Sequence, residues 1–146
     1  MSLLHDAYTA LLSGLTTKTG NEIHWQNEHG VPITIEPVDV SNEKYIVRYY
    51  YSSGNRGWEA EYQNVNLHGK YIVWRENGNK DWELEYQNGQ RHGKYIEWYP
   101  NGNKNIEKGY QNNELHGKYI KWDIIGNKKC EEEYKNGKLH SKFFFR

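Results

Sequence analysis

The sequence predicts an all-β protein: tandem 24-residue β-hairpin repeats forming an elongated antiparallel sheet, with a short N-terminal helix and strand cap. Three observations carry that prediction. The first is a fixed period. His68, His92, His116 and His140 recur every 24 residues, as do Gly54, Gly78, Gly102 and Gly126, the row Tyr62, Tyr86, Tyr110 and Tyr134, and the row Trp74, Trp98 and Trp122. A beat of this length marks units that bury their apolar faces only by stacking on neighbours. The second is turn chemistry: Asn-Gly pairs at Asn77, Asn88, Asn101 and Asn136 supply the positive φ that tight hairpins need. The third is composition, since 13 Tyr and 6 Trp with few aliphatics suit a sheet better than a helical bundle and argue against disorder.

At 146 residues the chain is one domain, or a repeat array with a cap. Residues 2–13 read as a short amphipathic helix. Leu4, Tyr8, Leu11 and Leu12 share one stripe, Ser2 can cap its start and Gly14 can end it. Residues 15–41 read as irregular strands: Val31, Ile33 and Ile35 alternate with Pro32, Thr34 and Glu36, and Pro32 and Pro37 restrict that strand to an edge or an end. Residues 1–42 are therefore assigned as the cap and 43–146 as the repeats.

Within the repeats each unit holds two antiparallel strands, and equivalent residues of neighbouring units stand roughly 9.6 Å apart. Register decides which side chains share a face. With two-residue Asn-Gly turns throughout, Glu83 would face Lys94 and the Glu rows would share a face with Ile96 and Trp98. Odd loops, three residues at Pro100–Gly102 and five at Asn88–His92, would instead pair Leu84 with Ile96, Trp82 with Trp98, and Ile96 with Ile106. The second register is preferred because it gathers the apolar residues on one face. That face would hold Trp58, Trp82, Leu84, Ile72, Ile96, Ile120, Trp74, Trp98, Trp122 and the Tyr62 row, flanked by Lys70, Lys94, Lys118 and Lys142. Glu59, Glu83, Glu107 and Glu131 would lie opposite, beside Tyr71, Tyr95 and Tyr119.

Repeats lay like groups out in rows, whereas catalysis needs unlike groups converging on a point. The His row cannot share one metal ion at a spacing of roughly 10 Å; a turn histidine bonded to loop backbone is the expected role. The Glu row reads as a solvated strand face and lacks a pocketed partner for acid–base work. The Gly-Asn and Asn-Gly pairs sit between strands and lead into no helix, which excludes a phosphate-cradling loop. Cys130 falls in the row of Trp58, Trp82 and Ile106 as a small core residue. No catalytic residue, metal site or cofactor is expected.

Net charge is zero, yet residues 1–43 carry −5 (Lys18 against six acids) and residues 44–146 carry +5 (18 basic, 13 acidic). That asymmetry permits an anionic partner, but the acids among the repeats and the few arginines weigh against nucleic acid. One cysteine fits a reducing compartment, and neither a signal peptide nor a membrane-length apolar run is seen. A cytoplasmic protein is expected, with a signal-independent secretion route left open.

The string Tyr-x-Asn-Gly-x-x-His-Gly-Lys-Tyr, whole at Tyr86–Tyr95, resembles the MORN repeat. The longer unit with Trp98-Tyr99-Pro100-Asn101-Gly102-Asn103 is similar to the variant found in bacteria and large DNA viruses, some of whose bacterial members are labelled antitoxins. The resemblance covers about Lys44 to Arg146. It departs at Val65-Asn66 and Asn113-Glu114 in place of Asn-Gly, at Ser141 in place of Gly, and at Phe143 in place of Tyr. It implies consecutive hairpins and a binding role, toward protein or, in some members, acidic phospholipid.

The function expected is thus a non-catalytic binding module for a macromolecular partner, foremost a protein. Trp74, Trp98, Trp122, Tyr71, Tyr95 and Tyr119 would form the contact surface, with Lys70, Lys94 and Lys118 as its rim; the other reading is that the aromatic rows are core, rolled inward or covered by the cap. The alternatives are an antitoxin or immunity protein that neutralises an enzyme, and a module recruited to acidic phospholipid. Phe143, Phe144 and Phe145 on an edge strand mark a surface for a homodimer or for cover by the N-terminal cap.

Overall fold

The computed structural model describes residues 17–19, 22–26, 32–39 and 43–146. Twelve strands among them form one antiparallel sheet in strict sequence order. They are β1 (Thr17–Thr19), β2 (Glu22–Gln26), β3 (Pro32–Asp39), β4 (Lys44–Tyr50), β5 (Arg56–Gln63), β6 (Asn66–Trp74), β7 (Lys80–Gln87), β8 (Gln90–Trp98), β9 (Lys104–Gln111), β10 (Glu114–Trp122), β11 (Lys128–Lys135) and β12 (Lys138–Phe144). The all-β hairpin sheet is as the sequence predicts. The helix expected at 2–13 lies outside the described residues.

The proline-bearing strand is interior and not an edge, and its prolines take the other placement expected, at or near the strand's ends. β3 lies between β2 and β4. Pro32 is its first residue, β2 pairs only as far as Ile35, and the pairing with β4 shifts between Pro37 and Asp39. Each missing N–H thus falls where no ladder bond is demanded.

Two turn types alternate. At the three-residue loops Tyr99 donates its N–H to the Asn103 carbonyl (2.8 Å) and Gly102 to the Tyr99 carbonyl (2.9 Å), with Gly102 at a φ of 89°; these start at Tyr51, Arg75 and Asp123 too. The other type is a two-residue Asn88-Gly89 turn between Gln87 and Gln90, both residues at positive φ as the strand twist requires. The five-residue loop expected at Asn88–His92 is therefore absent, and His92 and Gly93 belong to β8.

The preferred register is overturned. Leu84 pairs with Tyr95, Trp82 with Glu97, and Ile96 with Glu83 and Glu107. The cause is a bulge beside each three-residue loop. Trp98 pairs with Lys104 and Glu97 with Ile106, leaving Asn105 as the extra residue; Asp81 and Lys129 repeat this in β7 and β11. One added residue moves every following side chain to the other face. At the opposite end the His-Gly bulge adds two residues, which preserves the face. On that side Glu83 meets Ile96 and not Lys94.

One face, the core face, therefore carries the row Val47, Ala60, Tyr71, Leu84, Tyr95, Lys108, Tyr119, Glu132 and Lys142, strand by strand. Ile35, Val47 and Ala60 are fully buried there, with Ile33, Tyr45 and Leu84 nearly so. The opposite face carries Arg48, Glu59, Ile72, Glu83, Ile96, Glu107, Ile120, Glu131 and Phe143 in the same sense. Glu and Ile alternate across it, so the Glu row shares a face with the Ile row and not with Tyr71, Tyr95 and Tyr119.

β12 breaks the pattern. Tyr134 pairs with Leu139 and Glu133 with Ser141, leaving one extra residue where the other repeats have two. Gly69, Gly93 and Gly117 take positive φ at this bulge and Ser141 does not, because a Cβ makes that conformation costly. The strand slips by one residue. Lys142 lands on the core face, unlike Lys70, Lys94 and Lys118, and Phe143 lands on the opposite one.

Candidate interaction face

The opposite face repeats one cluster in each hairpin. Lys80 Nζ sits 5.4 Å from the Trp98 ring centre and 2.6 Å from Glu83 Oε2. Lys104 does the same with Trp122 (5.7 Å) and Glu107 (2.7 Å), and Arg56 with Trp74 (5.7 Å) and Glu59 (3.4 Å). Lys128 closes the series on Phe145 (5.4 Å) and Glu131 (3.0 Å). The strand geometry explains the recurrence. The bulge places each strand's first cation beside the tryptophan ending the next long strand, where the ring's negative face attracts it. The carboxylate three residues on neutralises it. These carboxylates are mostly covered, their side chains 16% exposed at Glu83 and 23% at Glu107, so the Glu row is not the solvated face expected. Lys104, joined by Lys94 (3.8 Å), holds the Glu107 carboxyl below its usual range, and Lys118 (3.0 Å), joined by Lys128, does the same for Glu131.

Lys94 and Lys118 keep most of their side chains in solvent, at 66% and 63% exposed. Trp74, Trp98 and Trp122 are partly exposed. The structure thus brings together Trp74, Trp98, Trp122 and Lys70, Lys94, Lys118 on one face. It parts them from Tyr71, Tyr95 and Tyr119, which lie on the core face.

On the core face the rings stack in a continuous ladder. Tyr49, Trp58, Tyr71, Trp82 and Tyr95 follow one another at centroid distances of 6.3, 5.9, 5.1 and 6.3 Å, with interplanar angles of 23–30°. Lys108 ends the ladder 4.6 Å above Tyr95. Burial pushes the hydroxyls of Tyr62 and Tyr71 up. Burial does the same at Tyr95, helped by the bond its hydroxyl donates to Glu97 (2.9 Å). Nearer the C-terminal end Glu132 accepts hydrogen bonds from Lys142 (2.6 Å) and Tyr134 (2.7 Å), and both depress its pKa.

Two histidines of the row, His68 and His116, play the turn role, while His92 Nδ1 is buried without a hydrogen-bond partner among the described residues. His68 Nδ1 accepts the Asn88 N–H (3.2 Å) and His116 Nδ1 the Asn136 N–H (3.4 Å), tying one hairpin tip to the next. Gly69 and Gly93 have a further cause that sequence reasoning missed, a carboxylate packed against them, whereas Gly117 has open space around it. The Glu61 carboxylate occupies the space a Gly69 side chain would need, and Glu61 Oε2 accepts the Lys70 N–H (2.7 Å). At the other sheet margin Asn55, Asn79 and Asn103 Nδ2 donate to the carbonyls of Glu76 (2.8 Å), Pro100 (3.2 Å) and Ile124 (2.9 Å). This ladder accounts for the recurrent Gly-Asn, and the strict spacing of its asparagines was the available signal.

Among the described residues no group of three His, Cys, Asp or Glu could hold a metal ion, and no helix is long and apolar enough to cross a membrane. Phe143, Phe144 and Phe145 are exposed at 62%, 76% and 43%.

No known family profile matches the chain, and no curated protein does. Among solved structures it is similar to TarM at 10% identity and a TM-score of 0.47, over 77% of this chain and 24% of that one. A mutant of S. aureus TarM in complex with fondaparinux, alpha-GlcNAc-glycerol and UDP is similar at 9% identity and a TM-score of 0.47, over 80% and 24%. The chain thus spans about a quarter of the length of these proteins.

Proposed function

We propose that this chain is a non-catalytic, MORN-type repeat module that recognises a protein partner through the face carrying Trp74, Trp98 and Trp122. One observation supports this above others: the repeated cluster in which each tryptophan is clasped by a cation that a glutamate already neutralises. The rings are held in fixed orientations on the face that the core does not use, so little side-chain entropy is left to lose on binding. Tryptophan is the residue type that dominates protein interfaces.

The charge balance favours protein over nucleic acid or acidic lipid. Polyanions bind by exchanging counterions for free lysines and arginines, whereas Arg56, Lys80, Lys104 and Lys128 each face a carboxylate within 3.4 Å. Lys70, Lys94 and Lys118 remain as a rim. Tyr71, Tyr95 and Tyr119 leave the contact set and support the sheet from behind.

Affinity capture from native lysate, read by mass spectrometry, tests the proposal with Trp98→Ala and Trp82→Ala side by side. Trp98→Ala should lose a dominant partner while its far-UV spectrum stays native. Trp82→Ala, in the core-face ladder, should lower stability and leave binding intact where folded. Retention of the partner by Trp98→Ala would refute this face. The partner's identity would separate an enzyme neutraliser from a scaffold.

A further inference from the structure

We propose a second, separate contact on this protein: the outer edge of β12 takes an acidic, extended segment of a partner protein by strand addition. Among the described residues nothing pairs with that edge. Phe145 donates its N–H to the Lys129 carbonyl (2.9 Å). By the alternation of an antiparallel ladder, Phe143 also turns its backbone groups to β11, while Lys142 and Phe144 present theirs outward. An unpaired row of this kind is a template for another strand.

Charge selects the occupant. Residues 135–146 contain Lys135, Lys138, Lys142 and Arg146 and no acidic residue. Glu132 occupies Lys142, but Lys135, Lys138 and Arg146 make no ion pair among the described residues. The interior strands show the expected complement. β8 and β10 set Lys94 and Lys118 against Glu107 and Glu131 of the strand laid on their far side, and no described strand lies on the far side of β12. A second copy fits poorly. Antiparallel self-pairing about Lys142 would set Lys142 against itself and Lys138 against Arg146, and like charges directly opposite are destabilising. The exposed Phe143 and Phe144, on opposite faces, would pack against apolar side chains alternating with the acids.

The test titrates the nitrogen-15-labelled full chain with a blocked peptide of the β7 sequence, Lys-Asp-Trp-Glu-Leu-Glu-Tyr-Gln. Its formal charge is −2, from one Lys against one Asp and two Glu. That strand is chosen because β7 packs on the far edge of β6, the position equivalent to the open edge of β12. Saturable shifts at the Lys142 and Phe144 amides, lost with a peptide whose three acids are lysine, support the proposal. Phe144→Pro removes an outward N–H without touching a β11 bond and should abolish the remaining shift at the Lys142 amide. The double variant Lys138→Glu, Arg146→Glu should weaken them while its spectrum elsewhere stays native. No shift at millimolar peptide, equal binding of the lysine peptide, or persistence in Phe144→Pro would overturn it. So would sedimentation showing a dimer in which those amides are already buried. Trp98→Ala should leave this titration unchanged, which separates it from the tryptophan face.

Discussion

Gly69 is fixed twice over. Its φ of 112° lies in the region where a Cβ costs about 1–2 kcal/mol, and the Glu61 carboxylate fills the space that the Cβ would enter. Gly78 has the first constraint at a φ of 89° but open space around it. Gly78→Ala should therefore cost about 1–2 kcal/mol, and Gly69→Ala measurably more, because the carboxylate that bonds the Lys70 N–H must move. Equal urea midpoints for the two variants would refute the packing argument. The tyrosines give a second residue-scale test. Burial, with Tyr62 and Glu43 nearby, pushes the Tyr45 hydroxyl up to about 12, while its bond to the Asn64 carbonyl (2.7 Å) anchors it. The bond to Glu132, with burial, does the same for Tyr134, also to about 12. A folded pKa above the unfolded value of 10.0 means the stabilisation is complete below pH 10 and is lost as pH rises toward 12. Phenolate absorbance and loss of the far-UV signal should then rise together in that window, and Tyr45→Phe should broaden the alkaline limit. A Tyr45 hydroxyl that ionises near pH 10 in a still-folded chain would contradict its burial.

At the scale of the strand, bulges decide what faces what. The hairpins, both kinds of turn residue and the local role of His68 and His116 are readable because each rests on a single residue type with one conformational demand, such as Asn88-Gly89 at positive φ. The faces are not readable. Asp81, Asn105 and Lys129 are ordinary polar residues, and nothing in the polarity pattern says that each is unpaired. Gathering apolar residues together misleads here because Ile72, Ile96 and Ile120 do not join the core. They pack between glutamates whose charge lysines or, at Glu59, arginines hold. The Trp74, Trp98 and Trp122 candidates keep company with their lysines for this reason, and the Tyr71, Tyr95 and Tyr119 candidates do not. The same logic makes β12 a test of register. Ser141→Gly restores the residue that permits the two-residue bulge. It should turn β12 over, releasing Lys142 from Glu132 and moving Phe143 to the core face. The observable is a Glu132–Lys142 contact in side-chain spectra, present in the parent chain and lost in the variant. Its persistence would mean that the Lys142–Glu132 pair, and not Ser141, sets the slip.

Across the whole molecule the core face changes character from one end to the other. The row that starts with fully buried Ile35, Val47 and Ala60 runs through Leu84 to Lys108, Glu132 and Lys142, exchanging apolar burial for paired charge. Burying a side chain such as Ile35 contributes roughly 1.5–3 kcal/mol, whereas the attraction in the Glu132–Lys142 pair is largely offset by the cost of burying the Glu132 carboxylate. Each strand pairs only with its chain neighbours, so stability is a sum of local terms and need not be lost at once. Ile35→Ala should cost about 2–5 kcal/mol and loosen β3–β5. Ile120→Ala, on a strand bounded by Glu107 and Glu131, should cost less and leave β3–β5 protected. Amide exchange should therefore be slowest in β3–β5, intermediate in β6–β8 and fastest in β11–β12, with Ile120→Ala raising exchange only beyond β9. Uniform protection along the sheet, or equal spread of the two substitutions, would show that the strands unfold as one unit. The gradient has a functional consequence for the proposed contacts. Trp122 and the β12 edge lie on the strands held least by burial, so a bound partner there should slow exchange most in β10–β12, where the free protein has the most order to gain.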